Sequence, residues 1–317
     1  MAALLSPDVA FAAVEQAFRL HARGRTLPPA VLGIHAPDGG FHLKAAGIKT
    51  RRSYFAVKCN ANFPLNPRRY GLPTIQGLVL LAAADNGRPL AVLDSMEITA
   101  LRTAAASAVS AKHLARRNSR RLFLAGCGLQ GLYHLRALAR VFRLKQITLF
   151  DTDAAQARRL ARRLARESRL SLRMAADLSA ARACDIIVTC TPSRRAFLGP
   201  AHVAPGTFIA AVGADNPDKQ ELAPELMAAN AVVVDSLEQC AAFGDLHHAI
   251  SAGLMRRQDV RAELADVIVG RKPGRRAPDE TVIFDSTGTA LEDVAAAVAV
   301  YEAAVRKRRG RRINFAV

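Results

Sequence analysis

The sequence predicts an α/β chain in two parts: a doubly wound, mostly parallel sheet with helices on both faces, and a smaller β-rich α+β part. Three observations carry this. From Arg121 to Asp153 the chain reads strand, glycine turn, helix, strand. After that stretch, short apolar runs alternate with helical ones, and each run ends in polar or glycine-rich residues. Before it, residues 30 to 94 read as strands joined by hairpin turns.

Taken in order, Ser6-Pro7-Asp8 supplies an N-cap, a proline at the first helical position and an acid in the first turn. Residues 5 to 23 follow as an amphipathic helix with Val9, Ala13, Val14 and Phe18 inward. Strands are expected at 30–34, 40–44 and 54–58, with Asp38-Gly39 as the first hairpin turn. A turn-rich segment, Asn60 to Pro73, leads to strands at 75–83 and 89–94 around Asp85-Asn86-Gly87. Ser95 to Ala115 reads as a long alanine-rich helix carrying Arg102. Beyond the glycine stretch, strands are expected at 185–189, 207–212, 231–234 and 281–284, and a last helix runs from Ala290 to Val305. That helix is expected to return to the first part. The boundaries are therefore 1–115 with 290–317 for one domain, and 116–289 for the other.

The glycine stretch has a specific logic. Leu122 to Ala125 is a buried strand, and Gly126, Gly128 and Gly131 have the spacing G-x-G-x-x-G. Leu132, Leu135, Leu138 and Val141 give the following helix its apolar stripe, and Ile147 to Phe150 is a second strand ending at Asp151. This is the dinucleotide-binding pattern of a Rossmann domain. Gly126 makes the turn, Gly128 lets the backbone approach a pyrophosphate, and Gly131 lets helix and strand pack closely. The helix N-terminus then receives the phosphates. Asp151 is placed to accept from both ribose hydroxyls, and its charge would repel the 2′-phosphate of NADP. Arg158 and Arg159 are nearby, but their spacing belongs to a solvated helix face. The cofactor expected is NAD.

Composition excludes other classes. Half of the 317 residues are apolar, so the chain is not a disordered one. No apolar run approaches a membrane span, and Asp8 and Glu15 interrupt the N-terminal stretch where a signal peptide would be apolar. Five cysteines without a C-x-x-C pair predict reduced thiols in the cytoplasm. The eight histidines show no metal spacing, and His247-His248 is expected in a loop. No metal is expected. A net charge of +18 raises the question of nucleic acid. The arginines are spread along helix faces or gathered in the tail Arg306 to Arg312, and no nucleic-acid module is present, so none is expected to bind.

The chain resembles the ornithine cyclodeaminase/mu-crystallin family. The resemblance lies in Val57-Lys58, Asn66-Pro67, Gly71 to Thr74, Pro89 to Ala91, Thr99 to Ala105, Gly126 to Gln130, Val212 to Asp215 with Lys219, and Asp285 to Gly288. These run in family order over nearly the whole chain. The resemblance implies a substrate-binding and dimerisation domain beside the Rossmann domain, and a homodimer. It implies hydride transfer between nicotinamide and the Cα of a small amino or imino acid. Cyclodeamination of ornithine to proline and ammonia comes first, with cyclic ketimine reduction and alanine dehydrogenation as other branches. A non-catalytic NAD-binding crystallin-like protein is an alternative of another class.

The resemblance also implies roles. Asp215 and Lys58 are the expected catalytic groups: Asp215 takes a proton from the substrate ammonium, and Lys58 presents a charge to carboxylate or imine. Arg102 is a planar fork suited to a carboxylate and is expected near the cofactor as well. Lys219 is expected near the substrate. Thr74, Leu129 and Gln130 join the three glycines and Asp151 at the cofactor, with Thr191 on the ribose side and Ser286 and Thr287 at the nicotinamide end. The sequence departs from the family at one place. Many members have an arginine soon after a proline near residue 30, and then a Met-Pro step. Here Ala30 follows Pro28-Pro29, Lys44 stands about where the methionine would be, and His42 falls near the acid of the cyclodeaminases. Lys44 and His42, two apart on one strand, are therefore expected on one face at the substrate.

Overall fold

The computed structural model describes residues 4–167 and 170–313, and its chain divides into two compact units, residues 1–102 with 290–317, and residues 103–289. The division falls inside the long helix and not after it at 115/116.

In the first unit, α1 (Pro7–Ala22) begins at Ser6, whose hydroxyl accepts from the Val9 N–H. Its inward face is Ala10, Val14, Ala17 and Phe18; Val9, expected inside, is 42% exposed. Five antiparallel strands follow in sequential order: β1 (Thr26–Ala36), β2 (Gly39–Lys49), β3 (Ser53–Asn62), β4 (Ile75–Ala83) and β5 (Pro89–Asp94). A single turn, α2 (Asn66–Arg69), lies between β3 and β4. The first hairpin turns at Pro37-Asp38, one residue earlier than expected, with Asp38 in the left-handed region at φ 64°. The last helix, α10 (Ala290–Arg306), packs with α1 over one face of this sheet. Strand alternation turns Tyr54, Ala56, Val79 and Leu81 toward the helices, where they are buried. The opposite face presents Leu32, Ile34, Phe41, Leu78, Leu80 and Val92, all at least 39% exposed.

The helix α3 (Ser95–Leu114) carries the division. The second unit then builds β6 (Arg121–Ala125), α4 (Leu129–Val141), β7 (Gln146–Phe150), α5 (Ala154–Glu167), β8 (Ser171–Met174), β9 (Ile186–Thr189), β10 (Arg194–Leu198), β11 (Phe208–Ala211) and β12 (Gln220–Leu222). It continues with α6 (Pro224–Ala228), β13 (Ala231–Val234), α7 (Leu237–Phe243), α8 (Asp245–Ser251), β14 (Ala262–Glu263), α9 (Leu264–Ile268) and β15 (Val282–Asp285). Eight strands form one sheet in the order β14-β13-β15-β11-β9-β6-β7-β8, with every pairing parallel, while β10 and β12 pair apart from it. The order reverses between β6 and β9, and doubly wound sheets bind ligands at that point. Central strands β6, β9, β11 and β15 are buried along almost their whole length, as a sheet covered on both faces requires. His247 and His248 lie in α8 and not in a loop. Among the described residues no helix is long and apolar enough to cross a membrane.

Candidate functional site

The glycine loop has the geometry that its spacing predicts. Gly126 sits at φ +101°, and a Cβ on it would lie 2.7 Å from the Cys190 carbonyl oxygen, so the turns after β6 and β9 come together here. A Cβ on Gly131 would run into the Gly126 carbonyl oxygen. Gly128 is the N-cap of α4, and a Cβ there would meet no protein atom within 4 Å. The open side of the loop is thus the side a pyrophosphate would take. The first-turn N–H groups of α4, including Leu129, Gln130 and Gly131, have no acceptor within the helix. Leu129 is 54% exposed. The Gln130 carbonyl accepts from the buried His134 Nδ1 at 2.8 Å, and His134 Nε2 lies 3.0 Å from Ser107 Oγ.

Asp151 stands just past the end of β7. Its Oδ2 accepts from the Cys127 N–H at 2.8 Å and its Oδ1 from the Asp153 N–H at 2.9 Å. The carboxylate is pinned, with lone pairs left for hydroxyl donors. Burial, aided by the Asp151 charge, pushes the Cys127 thiol up to about 12. That thiol is a neutral filler of the loop.

Three more turns lie along the carboxyl edge of the sheet. Thr191, after β9, donates from both its N–H and its Oγ1 to Glu221 Oε1 at 2.6 and 2.7 Å. Asp215, after β11, is 52% exposed, and Lys219 Nζ donates to its Oδ1 at 2.7 Å. Lys219, expected at the substrate, is therefore a partner of Asp215. Ser286 and Thr287, after β15, are buried, and their hydroxyls donate to Asp235 at 3.0 and 3.3 Å. The Gly288 N–H joins them at 2.7 Å. Sequence reasoning missed Asp235 and Glu221. Asp235 follows β13 and reads there as an ordinary polar terminus, and Glu221 is the middle residue of β12, a three-residue strand that the sequence pattern does not mark.

The first unit holds a buried ionic cluster. Lys58 Nζ lies 2.7 Å from Asp293 Oδ2, and Arg102 Nε donates to Asp293 Oδ1 at 2.9 Å. Arg102 Nη1 donates to Glu292 Oε2 at 2.9 Å. None of the four side chains is more than 6% exposed. The β2–β3 register sets Lys44 directly opposite Lys58, and His42 opposite Asn60. Burial lowers Lys58 to about 8; Asp293 works against the shift, while Arg102 and Lys44 add to it. Burial alone would raise Asp293, but Arg102 and Lys58 hold it below the usual carboxylate range. Glu292 and Asp293 were also missed: two acids in a first helical turn read as dipole partners. Their signal is that α10 is otherwise almost wholly apolar around them. Thr74 lies in this unit, in the turn before β4, and its carbonyl accepts from the Phe63 N–H at 2.8 Å. Among the described residues no group of His, Cys, Asp or Glu could hold a metal ion.

Residues 2–308 match the ornithine cyclodeaminase/mu-crystallin family. The chain belongs to that family. It is 39% identical over 312 residues to an alanine dehydrogenase of Archaeoglobus fulgidus, covering 98% of this chain and 95% of that one. It is 36% identical over 309 residues to an iminosuccinate reductase of Paracoccus denitrificans, covering 97% and 95%. Among solved structures, an archaeal alanine dehydrogenase dimer with bound NAD superposes with a TM-score of 0.94, at 39% identity over 99% of this chain and 96% of that one. The Δ1-pyrroline-2-carboxylate reductase of Thermococcus litoralis, in complex with NADH and L-proline, superposes at 0.93, with 28% identity over 98% and 97%. The relatives of this chain are thus nicotinamide-dependent enzymes of amino and imino acids.

Proposed function

We propose that the chain is an NAD-dependent amino-acid dehydrogenase or imino-acid reductase, acting at the Cα of a small substrate without a second ammonium group. The observation that carries the reading is the cluster of Lys58 and Arg102 around Asp293, with Lys44 facing Lys58 across the strands. Such a set of cations suits a carboxylate, with charge-assisted bonds worth about 1.5–3 kcal/mol each. His42 stands near the position where cyclodeaminases carry an acid that steers the amine chemistry of ornithine. That weighs against ornithine and for net redox chemistry.

The cofactor reading rests on the open side of Gly128, the N-terminus of α4 and the pinned carboxylate of Asp151. Gly126, Gly128, Leu129, Gln130 and Gly131 would hold the phosphates and Asp151 the adenosine ribose, and Thr74 is read as a cofactor residue from the family resemblance. Thr191, Ser286 and Thr287 would shape the nicotinamide half. NAD, when bound, accepts hydride and NADH donates it. Asp215, oriented by Lys219, holds the proton exchanged with the substrate nitrogen. Lys58 and Arg102 fix the carboxylate, so that the Cα hydrogen keeps one orientation. The exposed apolar face of the five-stranded sheet is read as the contact of a homodimer.

A substrate panel followed at the nicotinamide absorbance tests this: alanine and pyruvate with ammonia, cyclic imino acids, iminosuccinate and ornithine, with proline and ammonia assayed in parallel. Net NADH turnover with an amino or imino acid is expected. Proline and ammonia formed from ornithine without net NADH change would overturn it in favour of cyclodeamination.

A further inference from the structure

We propose that Glu221 is a positioning residue for the cofactor-side turns: its carboxylate ties the turn after β9, which carries Thr191, to the turn after β11, which carries Gly213 and Asp215. The proposal rests on the NAD-binding reading above.

Glu221 lies on β12 and is fully buried. Its Oε1 accepts from the Thr191 N–H at 2.6 Å and the Thr191 hydroxyl at 2.7 Å. Its Oε2 accepts from the Thr189 hydroxyl at 2.7 Å and the Gly213 N–H at 2.8 Å. Each oxygen therefore faces one hydroxyl and one backbone N–H. Hydroxyls can rotate, but backbone N–H groups cannot, so only a group that accepts at both oxygens satisfies the site. A Cβ on Gly213 would collide with this carboxyl, and that position must be glycine for the two turns to close on it.

The strand bearing Glu221 is itself fixed. The Glu221 and Leu222 N–H groups donate to Asp245 Oδ1 at 2.8 and 2.9 Å. The Asp245 and Leu246 N–H groups donate in turn to Asp285 at the end of β15, at 3.3 and 2.9 Å. A series of buried acids thus links the ends of β9, β11 and β15 through backbone N–H groups. Burial raises the Glu221 carboxyl above its ordinary range, against the pull of the Thr189, Thr191 and Gly213 donors. Burying an acid in this way is costly. The return is two turns held in one shape at the edge where the doubly wound sheet takes its ligand.

The test uses Glu221→Gln and Thr191→Val, singly and together, in the full chain. NADH affinity is read by nicotinamide fluorescence and folding by circular dichroism. Glutamine keeps the shape, but in either flip its NH2 faces a fixed N–H, from Thr191 or from Gly213. Glu221→Gln should raise the NADH Kd roughly tenfold to a hundredfold. Adding Thr191→Val to it should cost less than about twofold more, because in either flip the tie between the two turns is already broken at one end. NADH affinity within about twofold of the unaltered protein, or effects that simply multiply, would overturn the proposal. If Glu221→Gln does not fold, Thr189→Val, which removes one rotatable donor, should raise the Kd severalfold, and an unchanged Kd would overturn it. Unaltered protein that does not bind NADH at all would remove the cofactor reading together with the proposal, whereas binding that Glu221→Gln leaves intact removes the proposal alone.

Discussion

Asp293→Asn keeps the side-chain shape but removes the charge that lies between Lys58 and Arg102. Breaking a buried ion pair at one partner costs about 3–5 kcal/mol. At roughly 1.5 °C per kcal/mol for a chain of 317 residues, Tm should fall by about 5–8 °C near neutral pH. The loss should also depend on pH. Lys58 titrates at about 8 in the fold, against an ordinary 10.5. A lysine depressed in the fold carries its penalty, here on the order of 3 kcal/mol, wherever it is charged in both states, below pH 8. Between pH 8 and 10.5 the unfolded chain binds more protons, so stability rises with pH. The Asp293 charge raises Lys58, so in Asp293→Asn the lysine loses its proton at lower pH. The gap to the unaltered protein should therefore narrow between about pH 6 and about pH 9. Differential scanning calorimetry at those two values reads both effects. A Tm within about 2 °C of the unaltered protein at both, or a gap that does not narrow, would refute the reasoning.

Asp151→Ser should weaken NAD and relax the preference against NADP; tighter NADP than NAD binding by the unaltered protein in a fluorescence titration would contradict the reading of that carboxylate. Leu80→Asp places a charge in the middle of the exposed apolar face, and light scattering should show a dimer for the unaltered chain and a monomer for the variant. Lys44→Met, which restores the common family residue, should raise KM for the carboxylate substrate by roughly ten- to a hundredfold and leave NADH affinity unchanged. Unchanged kinetics would make Lys44 a surface lysine with no part in substrate binding.

The sequence alone determined the parts whose chemistry is local. A glycine that must turn at positive φ, a glycine packed against a strand and an acid at a strand end are fixed by spacing along one βαβ unit. Gly126, Gly131 and Asp151 could therefore be read before any fold was known. The long helices α1, α3 and α10 were legible for the same reason, since caps and apolar periodicity lie within the element. Four strands were not: β8, β10, β12 and β14 span two to five residues, and unlike the equally short β9, β11, β13 and β15 they mix polar and apolar residues without a continuous apolar run, so only their neighbours make them strands. Nor could the acids be read. Asp293 meets Lys58 and Arg102 from far along the chain, Glu221 meets Thr191 across two strands, and Asp235 meets Ser286 and Thr287 from the next strand over. Each looks like a surface carboxylate in sequence. Burial and the donors around it come only from packing, because the desolvation that makes a charge consequential is a property of the tertiary structure.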